Sequence, residues 1–239
     1  MSDTLLSIIF PCYNEEKNIP LIVESLSDLS SRNDIEIILV NNGSIDGSAE
    51  ILEELSQDNK FRVITVEENQ GYGFGILQGL KAAKGEFLGW MHADMQTDPK
   101  DLLKAIDIIE NNNLSKKLYI KGSRKKRKLF DNIFSIAMGI YESLYLGSLL
   151  WEINAQPNIF HRSFYDSWEK PPYDFSLDLY VYYLAKKKNL TVKRFDVIFP
   201  DRVYGSSSWN HSFSDRISFI KRTLSYSKML KKHINNINI

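Results

Sequence analysis

The 239-residue chain is predicted to form an α/β domain with a mostly parallel sheet flanked by helices, because short apolar strands alternate with helices through its first hundred residues. Apolar runs at residues 5–10, 35–40, 61–66 and 87–91 have the length and composition of buried strands. Between these runs, apolar residues recur at helical spacing within 19–29, 49–55 and 74–83. Asp98-Pro99 then starts a further helix, with an N-cap acid followed by proline at the first helical position. Such alternation implies right-handed crossovers between parallel strands.

The second half of the sequence is less regular. Residues 177–188 are predicted to be a helix, 191–199 a strand and 214–233 a basic C-terminal helix. An apolar and aromatic stretch at 129–151 follows a run of basic residues, which are Lys121, Arg124, Lys125, Lys126, Arg127 and Lys128. The chain contains neither an internal repeat nor a Pro/Gly/Ser-rich linker, so we expect one continuous domain over residues 1–239.

Composition excludes several classes of protein. Lysine plus arginine equal aspartate plus glutamate at 30 each, so no global field attracts nucleic acid. The single cysteine, Cys12, excludes an internal disulfide and fits a reducing compartment. The first apolar run is too short for a signal peptide, and no uncharged stretch reaches the ~18 residues of a membrane span. We therefore expect a cytoplasmic protein that is at most peripheral at the inner face of the plasma membrane.

Four polar, turn-rich segments each follow a predicted strand. They are residues 11–16, 41–47, 69–75 and 92–96. Ligands of open α/β sheets bind beyond the carboxyl ends of the strands. The four segments should therefore converge on one crevice.

The most specific of these segments is His92-Ala93-Asp94-Met95-Gln96, at the end of the fourth predicted strand. A carboxylate at the edge of a crevice can hold Mg²⁺, which uses one or two carboxylates and completes its shell with water and substrate phosphates. Such an ion would neutralise charge on a departing nucleoside diphosphate. The alternative is a turn aspartate that caps the following helix.

The four segments, in their order, resemble family 2 glycosyltransferases and especially the dolichyl-phosphate mannose synthase-like branch. The family carries P-x-Y-N-E, V-D-D-G-S-x-D-G, N-x-G-x-G and D-A-D-x-Q-x-x-P after its first four strands. This chain reads PCYNE at 11–15, VNNGSIDG at 40–47, NQGYG at 69–73 and HADMQTDP at 92–99. The likeness covers about residues 5–100 in order and spacing, and extends more weakly to about residue 210.

This resemblance implies a GT-A-like fold with a nucleotide-sugar-binding half at 1–122 and an acceptor-side, membrane-proximal half at 123–239. It implies an inverting glycosyltransferase that uses Mg²⁺ or Mn²⁺ and moves a sugar from a nucleoside-diphosphate-sugar to a polyprenyl phosphate. Two alternatives remain open at this point. The acceptor could be a hydroxyl of a growing cell-surface glycan of the O-antigen or capsule type, or the chain could be a catalytically silent sugar-nucleotide-binding scaffold.

The resemblance also assigns site residues. Glu15, Asn41 and Asn42 would contact the base and ribose, Asp94 and Gln96 would hold the metal, and Gly71 and Gly73 would allow close approach to the nucleotide. The full nucleotide-sugar-binding set is Pro11, Tyr13, Asn14, Glu15, Asn41, Asn42, Gly43, Asp46, Asn69, Gly71, Gly73, His92, Ala93 and Asp94.

Two positions depart from the family pattern. Asn41 stands where the family usually has aspartate, which bears on base preference. His92 replaces the first acid of the D-A-D triplet and leaves one carboxylate where two are usual. His92 could ligate Mn²⁺ or hydrogen-bond a ribose, and we favour the ribose.

The remaining catalytic candidates are Asp94 itself, Asp178 and Arg202. Asp178 resembles the family's base or acceptor-facing acid, and an alcohol acceptor would need such a base. A phosphate acceptor is already largely ionised, with a second pKa of about 6, and needs cations instead. Arg202 resembles the start of the R-x-x-G-x-S loop that closes over donor phosphates, where a planar guanidinium suits two oxygens. The alternatives are a helix-dipole acid for Asp178 and a surface charge for Arg202.

Acceptor-side residues predicted from the resemblance are Gln156, Ser206, Ser208 and Trp209. The basic run followed by an apolar stretch is typical of a segment that lies on a membrane surface. The alternative is a solvated loop followed by a core helix. Firm anchoring would need a membrane-protein partner, and no nucleic-acid-recognition motif accompanies the charge.

Overall fold

The computed structural model describes residues 4–57, 60–200, 202–204 and 213–235. Its centre is a sheet of seven strands in the order β3-β2-β1-β4-β6-β5-β7. The strands are β1 Leu6–Cys12, β2 Ile35–Asn42, β3 Arg62–Val66, β4 Phe87–Trp90, β5 Leu118–Lys125, β6 Asn158–His161 and β7 Thr191–Ile198. All neighbouring pairs are parallel except those of β6, which runs antiparallel to β4 and to β5. The predicted α/β class with a mostly parallel sheet is confirmed.

Nine helices occupy the described part of the chain. They are α1 Ile19–Ser25, α2 Ser27–Ser30, α3 Ser48–Ser56, α4 Tyr72–Ala82, α5 Leu102–Asn111, α6 Leu129–Leu146, α7 Arg162–Tyr165, α8 Leu177–Lys187 and α9 Phe213–Asn235. The single helix predicted over 19–29 is two short helices that meet at Leu26. Asp98 caps a 3₁₀ turn before α5, and its carboxylate accepts the backbone N–H of Lys100 at 2.9 Å.

Helices cover both faces of the sheet, as the side chains of β1 illustrate. Ile9 belongs to the apolar cluster that includes α4 and α8, whereas Ile8 and Phe10 belong to the cluster that includes α1, α2 and α5. Successive side chains of a strand point to opposite faces, so a strand buried on both faces is apolar throughout. This explains why β1 appears in the sequence as a continuous apolar run.

The sequence did not predict β5 or β6. We interpreted Lys121 as the start of a basic run and therefore did not recognise β5. Lys121 lies in the middle of this strand, and the lysine side chain is fully buried. β6 begins at Asn158 and pairs that residue with Trp90 on one side and Lys121 on the other. The antiparallel strand thus joins the two halves of the sheet.

The C-terminal helix α9, expected at 214–233, packs against α6. Leu230 is buried in the core, and Nζ of Lys231 donates to the backbone oxygen of Tyr145 at 2.6 Å. Oγ of Ser227 lies 2.7 Å from a carboxylate oxygen of Glu142, which is fully buried on α6. Within the described ranges, no helix combines the length and apolar character needed to cross a bilayer.

The buried Glu142 predicts how stability depends on pH. Burial raises the pKa of Glu142 from 4.5 to about 7, opposed by the Ser227 hydrogen bond. Because the folded state then holds a proton that the unfolded state releases, the free energy of unfolding falls as pH rises from about 4.5 to 7. This single group contributes a change of up to about 3 kcal/mol. Glu142→Gln should remove that contribution and stabilise the protein at pH 8.

Urea denaturation at pH 5 and pH 8 measures the effect. The control is Glu53→Gln, which alters an exposed glutamate on α3 and should leave the pH dependence as in the wild type. An unchanged difference between the two pH values in Glu142→Gln would contradict the assignment.

Candidate active site

Hydrogen bonds connect the two loops that follow β1 and β2 at the carboxyl ends of these strands. The backbone N–H of Asn14 donates to Oγ of Ser44 at 3.1 Å, and the Asn14 side-chain oxygen accepts the N–H of Ile45 at 2.9 Å. The N–H of Glu15 donates to Oγ of Ser48 at 2.9 Å. The segments at 11–16 and 41–47 therefore lie together, as their positions after neighbouring parallel strands predicted.

Other predicted nucleotide-binding residues occupy the same edge of the sheet. Asp46 accepts the N–H groups of Ser48 at 3.0 Å and Glu16 at 3.3 Å, so its carboxylate fixes the start of α3. Tyr13 is exposed, and Pro11 and Ala93 flank the crevice as parts of β1 and of the loop after β4. The binding role of these residues stays a prediction.

The two asparagines at the end of β2 fasten neighbouring loops. Oδ1 of Asn41 accepts the backbone N–H of Ser44 at 3.1 Å, and Nδ2 of Asn42 donates to the backbone oxygen of Gly71 at 3.1 Å. Both side chains are almost fully buried. Oδ1 of Asn42 is a buried acceptor with no hydrogen-bond donor among the described residues. This oxygen could accept a hydrogen bond from a ligand.

The glycines that open α4 make room for protein backbone. Gly71 has φ +118°, which favours glycine, and a Cβ there would lie 2.4 Å from the backbone oxygen of Tyr173. A Cβ on Gly73 would lie 2.6 Å from the oxygen of Pro172. The close approach that these glycines permit within the described structure is to residues 172–174, and their approach to a nucleotide stays a prediction. Asn69 supports this turn, since its side-chain oxygen accepts the Gly71 N–H at 2.8 Å.

Glu15 has an unusual environment for a carboxylate. Burial raises its pKa to about 7, and the negative charge of Asp94 acts in the same direction. Nδ2 of Asn18 donates to this carboxyl group at 2.5 Å, which favours its ionised form. Near neutral pH Glu15 therefore exists in both protonation states and can donate or accept a hydrogen bond at the floor of the crevice.

Asp94, Gln96 and Arg202 form the charged centre of the site. Asp94 is buried, and its Oδ2 lies 2.7 Å from an Nη atom of Arg202. Nε of Arg202 donates to Oε1 of Gln96 at 3.2 Å. The Gln96 side-chain amide in turn donates to the backbone oxygen of Pro200 at 3.1 Å, which joins the loop after β4 to the loop after β7.

These atoms suit the divalent ion that the sequence implies. Oδ2 of Asp94 and Oε1 of Gln96 converge on one cationic group, the Arg202 guanidinium, so the structure itself holds a positive charge at their meeting point. The described residues contain no cluster of three or more His, Cys, Asp or Glu side chains that could hold a metal unaided. One carboxylate and one amide oxygen match an ion that takes its other ligands from water and phosphate.

His92 lies between this centre and an aromatic wall. Its ring centroid is 6.3 Å from those of Tyr72 and Phe199. Burial lowers the pKa of His92, and the positive charges of Arg202 and nearby basic residues lower it further against the opposing effect of Asp94. A neutral imidazole fits either of the roles considered for it, as a metal ligand or as a partner of a ribose hydroxyl.

The basic run contains both buried side chains, which contact the site, and side chains that are exposed to solvent. Nε of Arg124 donates to the buried Glu152 carboxylate at 2.7 Å, and Arg127 lies 3.8 Å from the other oxygen of that carboxylate. Both guanidinium groups lie over the Phe199 ring, 5.4 and 5.7 Å from its centroid. Arg124 and Arg127 therefore form a cationic wall of the site, whereas Lys125, Lys126 and Lys128 are exposed.

Asp178 lies in a buried polar network in the first turn of α8. Its Oδ1 accepts Nδ2 of Asn158 at 2.9 Å, and Oδ1 of Asn158 accepts both Nζ of Lys121 and the Tyr119 hydroxyl at 2.7 Å. Lys121 also donates to the backbone oxygen of Ala155 at 2.7 Å. Burial raises the pKa of Asp178 to about 6 against the opposing charge of Lys121.

The predicted acceptor-side residues have different outcomes. Gln156 is fully buried, and its Nε2 donates to the hydroxyl of Tyr72, whose ring stacks on Phe175 at 4.6 Å between centroids. Oε1 of Gln156 has no donor among the described residues. Ser206, Ser208 and Trp209 lie outside the described residues.

Sequence reasoning missed several residues of the site. Tyr119 and Lys121 contact Asn158 only because β5 pairs with β6. Glu152, which lies in the chain segment between these two strands, folds back to contact Arg124 of β5. One signal was available, since the apolar run Leu118–Ile120 directly before Lys121 is unusual for a loop. Glu152 offered no comparable pattern.

Named relatives match less than half of the chain's length. A Bacillus subtilis protein named as the glycosyltransferase EpsH is 41% identical over 100 residues, which cover 41% of this chain and 28% of that protein. Undecaprenyl-phosphate 4-deoxy-4-formamido-L-arabinose transferase of Yersinia enterocolitica is 31% identical over 109 residues, 44% of this chain and 33% of that protein. The chain thus matches about a third or less of the length of these relatives.

Solved structures share the fold over most of the chain. Glucosyl-3-phosphoglycerate synthase of Mycobacterium tuberculosis, solved with Mn²⁺, UDP and glucosyl-3-phosphoglycerate, aligns with a TM-score of 0.68 at 15% identity, covering 95% of this chain and 80% of that one. Staphylococcus aureus TarS residues 1–349 align with a TM-score of 0.54 at 22% identity, covering 84% and 59%. The GT-A-like fold expected from the sequence is therefore confirmed.

The family model described as glycosyl transferase family 2 matches residues 7–129. This segment contains β1 to β5, the crevice at their carboxyl ends, and the motifs at 11–15, 40–47, 69–73 and 92–99. It is just over half of the 239 residues. The chain belongs to glycosyl transferase family 2.

Proposed function

We propose that this chain transfers a sugar from a nucleoside-diphosphate-sugar to a polyprenyl phosphate, with inversion at the anomeric carbon. One observation carries the proposal. The His92 ring lies 6.3 Å from Phe199 between centroids, Arg124 and Arg127 lie over the same Phe199 ring, and the charges of Asp94, Arg202 and Arg124 all act on His92. A donor diphosphate at Asp94 and Gln96 and an anionic acceptor at Arg124 and Arg127 would thus occupy neighbouring parts of one site.

The donor side is built from the β1, β2 and β4 ends. Asp94 and Gln96 would hold Mg²⁺ or Mn²⁺, which supplies charge neutralisation for the departing diphosphate. The M. tuberculosis synthase with the same fold was solved with Mn²⁺ and UDP, which supports this cofactor class. Glu15, Asn41 and Asn42 would hydrogen-bond the base and ribose, and the orphan Oδ1 of Asn42 is a buried acceptor that needs a donor.

The acceptor side favours a phosphate. Arg124 and Arg127 both form ion pairs with Glu152, and Asp131 adds a second negative charge near Arg127, so two guanidinium groups lie together at this place. Guanidinium groups bind phosphate oxygens through paired donors. The named undecaprenyl-phosphate transferases among the relatives support a lipid phosphate as the acceptor class.

The transfer itself is one displacement. An oxygen of the acceptor phosphate forms a bond to the anomeric carbon while the bond from that carbon to the β-phosphate oxygen breaks, and the nucleoside diphosphate leaves with the electron pair. The phosphate is ionised near neutral pH, so no side chain has to remove a proton. The chain's residues then have to position two anions and offset their repulsion, which is the work of Arg202 on the donor and of Arg124 and Arg127 on the acceptor.

A lipid acceptor requires contact with a membrane, and α6 presents a suitable face. Six apolar residues recur along one side of this helix, and all six are exposed, with Leu129 at 76% and Leu144 at 80%. They are Leu129, Ile133, Ala137, Ile140, Tyr141 and Leu144. Spacings of three and four residues place them on one stripe.

The surroundings of this stripe are complementary to an anionic bilayer surface. Lys125, Lys126 and Lys128 are exposed immediately before α6. Basic residues near an anionic leaflet contribute about 1 kcal/mol each, and apolar side chains add to this when they enter the headgroup boundary. The cationic wall of Arg124 and Arg127 begins in the same segment, so docking by α6 would bring the acceptor headgroup near the site.

The first prediction concerns donor turnover. Nucleotide release from UDP-, GDP- and dTDP-sugars with Mg²⁺ or Mn²⁺ should be stimulated by a polyprenyl phosphate and abolished in Asp94→Ala, because the metal-binding carboxylate is lost. The control Asp107→Ala changes an exposed acid on α5 and should retain activity. Nucleotide release that is stimulated only by glycan acceptors would contradict a phosphate acceptor and indicate a hydroxyl acceptor instead. Absence of release with every donor and acceptor would contradict glycosyl transfer.

The second prediction concerns Asp178. If the acceptor is a phosphate, Asp178→Asn should largely preserve the transfer rate per folded molecule, because no base is needed. An alcohol acceptor would lose about 100-fold or more when its base is removed. The thermal midpoint of the variant, measured alongside, corrects for any loss of the Asn158 and Lys121 network. Equal collapse with a phosphate acceptor would contradict this role for Asp178.

The third prediction concerns membrane contact. The double variant Ile133→Glu/Leu144→Glu should reduce cosedimentation with vesicles of phosphatidylcholine and phosphatidylglycerol (3:1) at least tenfold, because burying each side chain contributes about 2 kcal/mol. Leu103→Glu, which alters an exposed leucine of α5, is the matched control and should bind like the wild type. Vesicle binding that is equal in all three proteins would exclude α6 as the docking face.

A further inference from the structure

The Arg202 guanidinium lies on the oxygen atoms that we assign to the metal. Its Nη2 is 2.7 Å from Oδ2 of Asp94, and its Nε is 3.2 Å from Oε1 of Gln96. Two separate nitrogens of one planar group thus contact two separate candidate ligands. The other Asp94 oxygen accepts the backbone N–H of Gln96 at 3.1 Å, and this hydrogen bond fixes the orientation of the carboxylate.

A guanidinium and a divalent ion cannot use these oxygens together. The positive charges would lie within a few ångströms of each other beside a carboxylate that is 3% exposed, where screening by water is weak. Arg202 must leave Asp94 before a metal can take its place. In leaving, it also gives up Gln96, and so loses two contacts at once.

A nucleoside diphosphate offers Arg202 an alternative partner. Its phosphate oxygens can accept both prongs of the guanidinium, which compensates for the contacts to Asp94 and Gln96. The same phosphates can supply ligands to the incoming metal. Binding of the donor would thus draw Arg202 away from Asp94 and Gln96 and, at the same time, supply phosphate oxygens as further metal ligands.

We propose that Arg202 is a resident counter-ion that couples metal binding to donor binding. In the free protein it competes with the metal for Asp94 and Gln96, and metal affinity is low. With nucleotide bound it moves to the diphosphate, and metal affinity rises. By thermodynamic linkage the metal raises nucleotide affinity by the same factor. This inference rests on the proposed function, since it assumes that Asp94 and Gln96 hold the metal.

The role also explains how the loop after β7 is placed before the donor arrives. Arg202 contacts the loop after β4 through its side chain, and the Gln96 amide holds that loop to the oxygen of Pro200. The guanidinium is thereby stored beside the position where the diphosphate is expected. Its transfer to the diphosphate needs a change of hydrogen-bond partners from Asp94 and Gln96 to phosphate oxygens.

Mn²⁺ binding to the full chain, measured by the electron paramagnetic resonance signal of the free ion, tests this directly. Without nucleotide, Arg202→Gln should bind Mn²⁺ at least tenfold more tightly than the wild type. Addition of UDP, GDP or dTDP should raise the Mn²⁺ affinity of the wild type at least tenfold and that of Arg202→Gln much less. Asp94→Asn should lose the Mn²⁺ site in both backgrounds.

Arg32→Gln is the matched control. It removes an arginine that also forms a 2.7 Å ion pair with an aspartate, Asp34, away from the crevice, and its Mn²⁺ affinity should equal that of the wild type. Equal or weaker Mn²⁺ binding by Arg202→Gln overturns the inference, as does the absence of binding to both proteins at millimolar Mn²⁺. Failure of every nucleotide to bind the wild type would instead overturn the proposed function, whereas the comparison of the two proteins with Mn²⁺ alone does not depend on nucleotide binding.

Discussion

Parallel pairing of β1 with β2 on one side and with β4 on the other is the constraint on which the site depends. Parallel strands end at the same edge, so the segments that follow β1, β2 and β4 must meet there. The loops then fasten to one another through short polar side chains, such as Ser44 and Ser48. Main-chain pairing of the strands thus brings the loops of the candidate site together, and side-chain hydrogen bonds then hold them.

The antiparallel strand β6 adds the second half of the site to this frame. Its first residue, Asn158, lies between Trp90 and Lys121 and links Asp178 to Lys121 through the two ends of one amide. A buried ammonium and a buried carboxylate are costly unless both are hydrogen-bonded. The network meets this requirement, because both charged groups have hydrogen-bond partners. Glu152 does the same for Arg124 and Arg127.

Charge is thus arranged in layers across the crevice. The proposed donor side holds carboxylates, with the pKa of Glu15 raised by burial and Asp94 paired with Arg202. The proposed acceptor side holds two guanidinium groups over the Phe199 ring. His92 lies 6.3 Å from that ring, and burial and the surrounding cations lower its pKa. Such an arrangement would suit the two anionic substrates of the proposed function.

The sequence alone determined the fold class, five of the seven strands (the first four and the last), and the convergence of four motifs. These features depend on apolar periodicity and on turn residues, which are local in the chain. It also named Asp94, Gln96 and Arg202, although residues 94 and 202 are far apart in the chain. Only the tertiary structure decided that they touch, that Gly71 and Gly73 accommodate residues 172–174, and that the basic run splits between Glu152 and solvent. Those outcomes depend on contacts between distant segments and on the unpredicted pairing of β5 with β6, which leaves no periodic signal in the sequence.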